Sequence, residues 1–354
     1  MIDRDDLRAA TAAGVISEAQ AVSLTALAQN RHAAQTGLRQ IDEPFELFKG
    51  FNEIFIVVGL CILAAGWSAT FGLFLTQQAA SALAIGALTA AVIWALSEYF
   101  VRHRRMVAPS IVLCIFFAIT ALGTFTAHFA EPFMVMQRDL TSLPWPAICA
   151  TFAVLIYWGR FRVPFALAVV AVGIFAIAIL FAAIARGTPA TWTEMFKLSA
   201  SGPFAWITLI VGFAVFAVAM WFDMSDPHRV TRRSSNGFWL HLVAAPALVN
   251  TIALSLLDQG SATSNLILLG VLAFFAAVAI VIDRRSFLIA AIGYIVTLSL
   301  TVFEPGNVAT PILILGIALL ALGAFWQPIR AILLRPLAGV LPLHRLPPTH
   351  STKD

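Results

Sequence analysis

Long, nearly uninterrupted apolar runs constrain this chain more than any other feature. Each approaches the roughly 20 residues that an α-helix needs to cross a hydrocarbon core about 30 Å thick. About ten can be marked: Ile54 to Leu75, Ala79 to Val101, Val107 to Phe129, Trp145 to Trp158, Pro164 to Ala185, Pro203 to Phe222, Gly237 to Leu257, Asn265 to Ile282, Phe287 to Phe303 and Ala309 to Trp326. The fourth is short. Within hydrocarbon a backbone N–H or C=O has no water to bond, so a spanning segment must satisfy its own groups, as a helix does. The fold class is therefore all-α: a polytopic integral membrane helix bundle of about ten transmembrane helices, filling 54–326. Of 354 residues, 60% are hydrophobic and only 11% charged, which excludes a soluble enzyme and a single-anchor protein.

Charge orients the segments. The formal net charge of +4 suggests nucleic acid until its positions are read, and the basic residues then prove to lie in short loops. Arg102, Arg104 and Arg105, then Arg160 and Arg162, then Arg229, Arg232 and Arg233, then Arg284 and Arg285 follow the even segments. Only Arg138, Arg186 and Lys197 follow the odd ones. Arginine and lysine are retained on the cytoplasmic side, so this asymmetry predicts both termini in the cytoplasm and the lipid bilayer, not nucleic acid, as partner. Arg330, Arg335 and Arg345 agree. Trp145, Trp158, Trp221, Trp239 and Trp326 stand at segment ends, where an indole keeps its ring apolar and its N–H wet.

Three of the basic turns look alike: 101–106, 159–163 and 283–287. A repeated helical hairpin would produce them, and so would the positive-inside rule acting on tight turns without duplication. Ten helices would also allow two inverted halves of five, although the halves do not align convincingly.

The stretch 1–41 reads differently. The start is acidic and no apolar stretch follows it, so it does not read as a cleaved signal peptide. Leu7 precedes a break at Gly14, and Ile16-Ser17-Glu18-Ala19-Gln20 has the form of a capping box, with Ser17 at the N-cap, Gln20 at N3 and Ile16 stapling onto Ala21. Leu24, Leu27 and Ala28 give the next helix a modest apolar stripe. The result is a small cytosolic helical hairpin, too short to hold a core alone. It must pack on the membrane domain, on a second copy in a homo-oligomer, or on a cytosolic protein partner. The segment 42–53 begins with Asp42-Glu43-Pro44, a helix start. Phe45, Phe48 and Phe55 share a face there, which suits an interfacial helix leading into the first crossing. At the other end, 327–341 pairs Arg330 and Arg335 with Ile329, Ile332, Leu333 and Leu337 as a second amphipathic segment, and the Pro-rich tail 342–354 reads as disordered.

Leu7, Gly14, Ile16 and Ser17, followed by a first crossing that carries Gly59 and Gly66, resemble a family of uncharacterised bacterial multi-pass membrane proteins with a short N-terminal cytoplasmic hairpin, a domain of unknown function. The resemblance is confined to the hairpin and the first crossing. It implies a bacterial inner-membrane location and supplies no catalytic residue and no activity.

Polar groups inside spans are functional candidates, because hydrocarbon penalises them unless they find partners. His241 lies about one turn inside the seventh segment, where a neutral imidazole can relay protons. Pro246 removes a backbone donor, and Asn250 follows it by one turn. His241 and Asn250 lie about 180° apart on a straight helix, so a shared site requires a kink at the proline. The alternative is that His241 bonds a neighbouring helix and Asn250 joins helices. Glu98 precedes Arg102 by four residues, the favourable order for an ion pair, and is the third candidate for a polar ligand site. His128 and Glu131 form either an outer cation site or interfacial groups in water. Glu53 caps the entry to the first crossing or meets a basic loop. Ala82, Gly86 and Ala90 have the small-xxx-small spacing of close helix packing.

Cys61, Cys114 and Cys149 fall in apolar runs and form neither a metal spacing nor a disulfide framework. There is no HExxH, Walker A or GxSxG motif and no multi-histidine centre, so neither an enzyme, a metal nor a cofactor is expected. Two readings remain. The favoured one, a small-molecule or ion permease, would use His241, Asn250 and Glu98. A membrane sensor or assembly scaffold would recruit partners through the N-terminal hairpin and needs no polar pathway. They differ in whether those three side chains converge on one wet cavity or each has its own partner.

Overall fold

The computed structural model describes 10–11, 13–17, 20, 51–75, 79–131, 139–188, 192–198, 203–227, 229, 231–284, 309–337, 339, 342 and 345–347. Two compact units divide the chain, one of Met1–Phe45 with His350–Asp354 and one of Glu46–Thr349.

In the smaller unit the expected break and restart are both present. A helix ends at Gly14 (φ +71°), where the Gly14 N–H donates to the Thr11 carbonyl and the Val15 N–H to the Ala10 carbonyl. This is a Schellman ending, which glycine supports without a Cβ clash. The capping box then closes reciprocally: the Ser17 N–H donates to Gln20 Oε1 (2.9 Å) and the Gln20 N–H to Ser17 Oγ (3.2 Å). The expected second helix, with Leu24 and Leu27, and Phe45 and Phe48 of the interfacial segment lie outside the described residues.

The larger unit is helical, with no strand among the described residues. Its helices are α1 (Phe51–Leu75), α2 (Ala79–Ser97, continued by a π turn Glu98–His103), α3 (Ala108–Phe129), α4 (Pro144–Phe161), α5 (Pro164–Arg186), α6 (Phe204–Met224), α7 (Arg232–Asp258), α8 (Ala262–Ile282), α9 (Ala309–Ala324) and α10 (Trp326–Leu334). Seven, namely α1–α3 and α5–α8, are long and apolar enough to cross a membrane, so the chain is a polytopic membrane protein. α4 is diluted by Pro144, Pro146, Gly159 and Arg160, and α9 is described only over Ala309–Ala324. The expected ninth segment, 287–303, lies outside the described residues.

Several ends differ from the apolar runs because polar residues can join a helix once its backbone is paired. α1 already includes 51–53, ahead of Ile54, so these residues belong to the crossing helix. α7 starts at Arg232, ahead of Gly237, with Thr231 Oγ1 accepting from the Arg233 N–H (3.2 Å) as N-cap. The helix of the tenth run ends at Ala324, and α10 takes up most of the expected amphipathic segment 327–341. In the tail, Leu346 is buried and the Pro347 carbonyl accepts from Arg330 Nη2 (2.6 Å).

α7 is the central helix, with 56% of its apolar stretch buried against 11% for α1. It packs on α5, α6 and α8. Two apolar centres are the largest among the described residues. One joins α1–α4 and the start of α5 around Trp94, Phe117, Tyr157 and Phe161. The other joins α6, α7, α8 and α10 around Leu248, Leu268, Leu272 and Trp326. The small-residue stripe on α2 is an intramolecular contact, since a Cβ at Gly86 would overlap Thr124 of α3.

The three look-alike turns share a backbone feature. Arg105, Arg162 and Asp283 all have φ between +53° and +57°, a left-handed conformation uncommon for non-glycine residues. At Asp283 the strain is offset by a Schellman ending, in which the Asp283 N–H donates to the Ile280 carbonyl and the Arg284 N–H to that of Ala279.

Candidate functional site

His241 is fully buried and faces α6, where Nε2 donates to Asp223 Oδ2 (2.9 Å). Asp223 lies at the last turn of α6, and the loop to α7 folds back so that α7 passes it at Gly237. A Cβ on Gly237 would overlap the Asp223 carboxylate, so the glycine gives up helix propensity to let the carboxylate approach the α7 backbone. Arg284, just past α8, completes the cluster. Its Nε donates to Asp223 Oδ2 (2.9 Å) and its Nη2 to Oδ1 (2.5 Å), a bidentate fork. Nη2 also donates to the Ser234 carbonyl (2.9 Å). All three side chains are at most 6% exposed. An isolated charge there would carry several kcal/mol of desolvation cost; paired and hydrogen-bonded, the carboxylate and guanidinium pin α6, α7 and the end of α8 together.

A second enclosed set adjoins it through the next residue in sequence. Asp283 accepts from Arg229 Nη1 (3.0 Å) and from Trp326 Nε1 (2.6 Å). Arg229 Nη2 also donates to the Asp283 carbonyl (2.5 Å), and Arg330 Nε donates to that of Ile280 (3.1 Å). The last carbonyls of α8 are thus capped by arginines from the α6–α7 loop and from α10, where a cation also suits the negative end of the helix dipole. Burial, the largest influence, lowers the Arg330 pKa from its ordinary value while nearby Asp283 raises it. The α6–α7 loop is held by Asp226, whose Oδ2 accepts from Thr231 N–H (2.8 Å) and Oγ1 (2.7 Å).

The other sequence candidates are elsewhere. Asn250 is half-buried on α7, which stays helical through Pro246, so a rise of about 13.5 Å along the helix separates it from His241. Glu98 is a third exposed and pairs with Arg102 (2.9 Å), as its spacing predicts, and with Arg160 of α4 (2.8 Å). The expectation that His241, Asn250 and Glu98 form one polar site is corrected: Asn250 lies nine residues beyond His241 on one continuous helix, and His241 and Glu98 belong to two separate ion clusters. Glu53 is buried and caps another helix, taking the N–H groups of Val107 (3.3 Å) and Ala108 (3.1 Å) at the start of α3. His128 is exposed against the edge of Phe129. The exposed Glu131 donates its backbone N–H to Ser142 Oγ (3.2 Å), and no bond between it and His128 is found among the described residues.

Asp223, Arg284, Ser234 and Gly237 escape a reading of the sequence. Arg284 looks like any positive-inside arginine, and Asp223 looks like the polar end of an apolar run. The one available signal is a glycine and a histidine one turn apart on a helix that begins with arginines. Among the described residues no group of three or more His, Cys, Asp and Glu could hold a metal ion. A cleft of about 380 Å³ between α1, α2 and α3 is lined by Leu60, Trp67, Ile93 and Phe116 and holds none of the candidate residues. Searches against family models, curated proteins and solved structures find no match.

Proposed function

We propose that this protein is a membrane-embedded sensor or assembly scaffold and not a permease. One observation carries the reading: the described polar candidates His241, Glu98 and Glu53 each have partners of their own. His241 has Asp223, which Arg284 also holds, Glu98 has Arg102 and Arg160, and Glu53 has the start of α3. A permease needs a polar path that a substrate can enter and leave, whereas the clusters here fasten helix ends. In this reading the bundle has about ten spans, and its arginine-rich end and both termini face the cytoplasm, as loop charge favours. The bundle presents 1–41 as the recruiting module. The bacterial inner membrane implied by the N-terminal resemblance belongs to the same proposal.

The test is a thermal-shift screen of the full-length protein in detergent against ions, metabolites and nucleotides, with His241→Ala and Asn250→Ala beside it, since a ligand that binds only the folded state raises its stability. The scaffold reading predicts no saturable small-molecule shift that both variants abolish. It also predicts a discrete protein adduct when a photo-crosslinker is placed at Leu27 in cells. A small molecule whose stabilisation disappears in both variants would overturn it in favour of transport.

A further inference from the structure

We propose that the turn between α4 and α5 and the first turns of α7 form a binding rim for the headgroup of an anionic phospholipid. Acids and arginines are segregated at this end of the bundle. Of the described carboxylates there, Glu53, Asp223, Asp226 and Asp283 are buried and Glu98 is held between two arginines. Arg160, Arg162, Arg232 and Arg233 are exposed, so the outward charge is positive and suits a phosphate.

Ring contacts bring these arginines to one rim. The Arg162 guanidinium lies over Trp158 (5.1 Å), and Trp158 packs in the same apolar cluster as Leu240 of α7. Just after Arg162, Phe165 meets Trp239 of α7 edge to face (4.9 Å). α5 and α7 both begin at this end, so α7 extends beyond that contact by two turns, which carry Arg232 and Arg233.

The surface below the rim indicates a lipid. On α4 the exposed Phe152, Leu155 and Ile156 form a helical stripe that leads to Gly159 and Arg160. On α7, Leu242, Trp239 and Arg232 likewise run from apolar to arginine at helical spacing, here with an indole between. Acyl chains would lie along these stripes with the phosphate at the arginines, an arrangement that a free anion or an acidic protein would leave half unused.

The experiment titrates the detergent-purified full-length protein with phosphatidylglycerol, with phosphatidylcholine or with inorganic phosphate, and reads bound lipid by native mass spectrometry and melting temperature. Phosphatidylglycerol is expected to bind saturably and phosphatidylcholine weakly. Each neutralised arginine should weaken that binding about fivefold, so Arg162→Gln with Arg232→Gln loses about 25-fold, while Arg335→Gln just past α10 leaves it unchanged. If the first pair fails to melt cooperatively, Arg232→Gln with Arg233→Gln replaces it. Equal binding of the two lipids, the same shift with inorganic phosphate alone, or an equal loss in Arg335→Gln would each overturn the proposal.

Discussion

Around α1–α4 the buried centre is aromatic, with Trp94, Phe117, Tyr157 and Phe161 in mutual contact, and its polar groups are few and local. The Tyr157 hydroxyl meets Ser97 Oγ (2.8 Å), Glu53 sits on a helix start, and Glu98 stays partly in water. Around α6–α8 and α10 the described chain instead encloses three aspartates, Asp223, Asp226 and Asp283, and three arginines, Arg229, Arg284 and Arg330. The difference is one of what holds helix ends in place. In the first region packing of large rings does so, and the charges are accessory. In the second, helix ends are joined by directional, charge-assisted hydrogen bonds, with the Trp326 indole as one further donor. A paired interior ion adds little net stability but becomes costly when its partner is lost, so the two regions should respond differently to single substitutions.

The sharpest way to break this comparison is Asp223→Ala, which leaves the buried Arg284 with Ser234 but without its carboxylate. A loss of about 3–5 kcal/mol is expected, read as a large fall in melting temperature in detergent; a fall no greater than that of a surface substitution would remove the pin. The companion Asp223→Leu with Arg284→Met should recover most of that loss, and failure to recover would mean that the cluster does more than hold helices. Next comes Gly237→Ala, where the added methyl must displace the carboxylate, with an expected loss of about 1–3 kcal/mol and none at the open Gly270 used as control. In the first region, Glu53→Ala should cost about 0.5–2 kcal/mol through the lost helix cap, with Glu53→Gln intermediate because its amide oxygen still accepts. The smallest effect belongs to Glu98→Ala, under about 1 kcal/mol and smaller still in high salt. If Glu98→Ala proved as damaging as Asp223→Ala, the contrast between the regions would fail.

Much of this architecture is legible in the residues themselves. The apolar runs mark helices, Gly14 and Ser17 mark a stop and a start, and the spacing of Glu98 and Arg102 marks an ion pair. The site is less legible. His241 stands out as a polar group in an apolar stretch, yet its partners belong to other elements, Asp223 at the end of α6 and Arg284 just past α8, where each resembles an ordinary loop charge. Asn250 stands out for the same reason as His241 but shares no contact with it. Glu53 looks like a cap for its own helix and proves to cap the third.

What the sequence by itself determined is therefore local: that the chain lies in a membrane, which stretches are helical, and where several of them stop. Those outcomes depend on hydrophobic length, backbone pairing and capping, which act within a turn or two along the chain. Only the tertiary structure decided which charges meet. Asp223, His241 and Arg284 are brought together by the α6–α7 reversal, the missing Cβ of Gly237 and the left-handed turn after α8. A charge buried in apolar surroundings is stable only with a partner within hydrogen-bond reach, and helix packing, not position along the chain, supplies that partner.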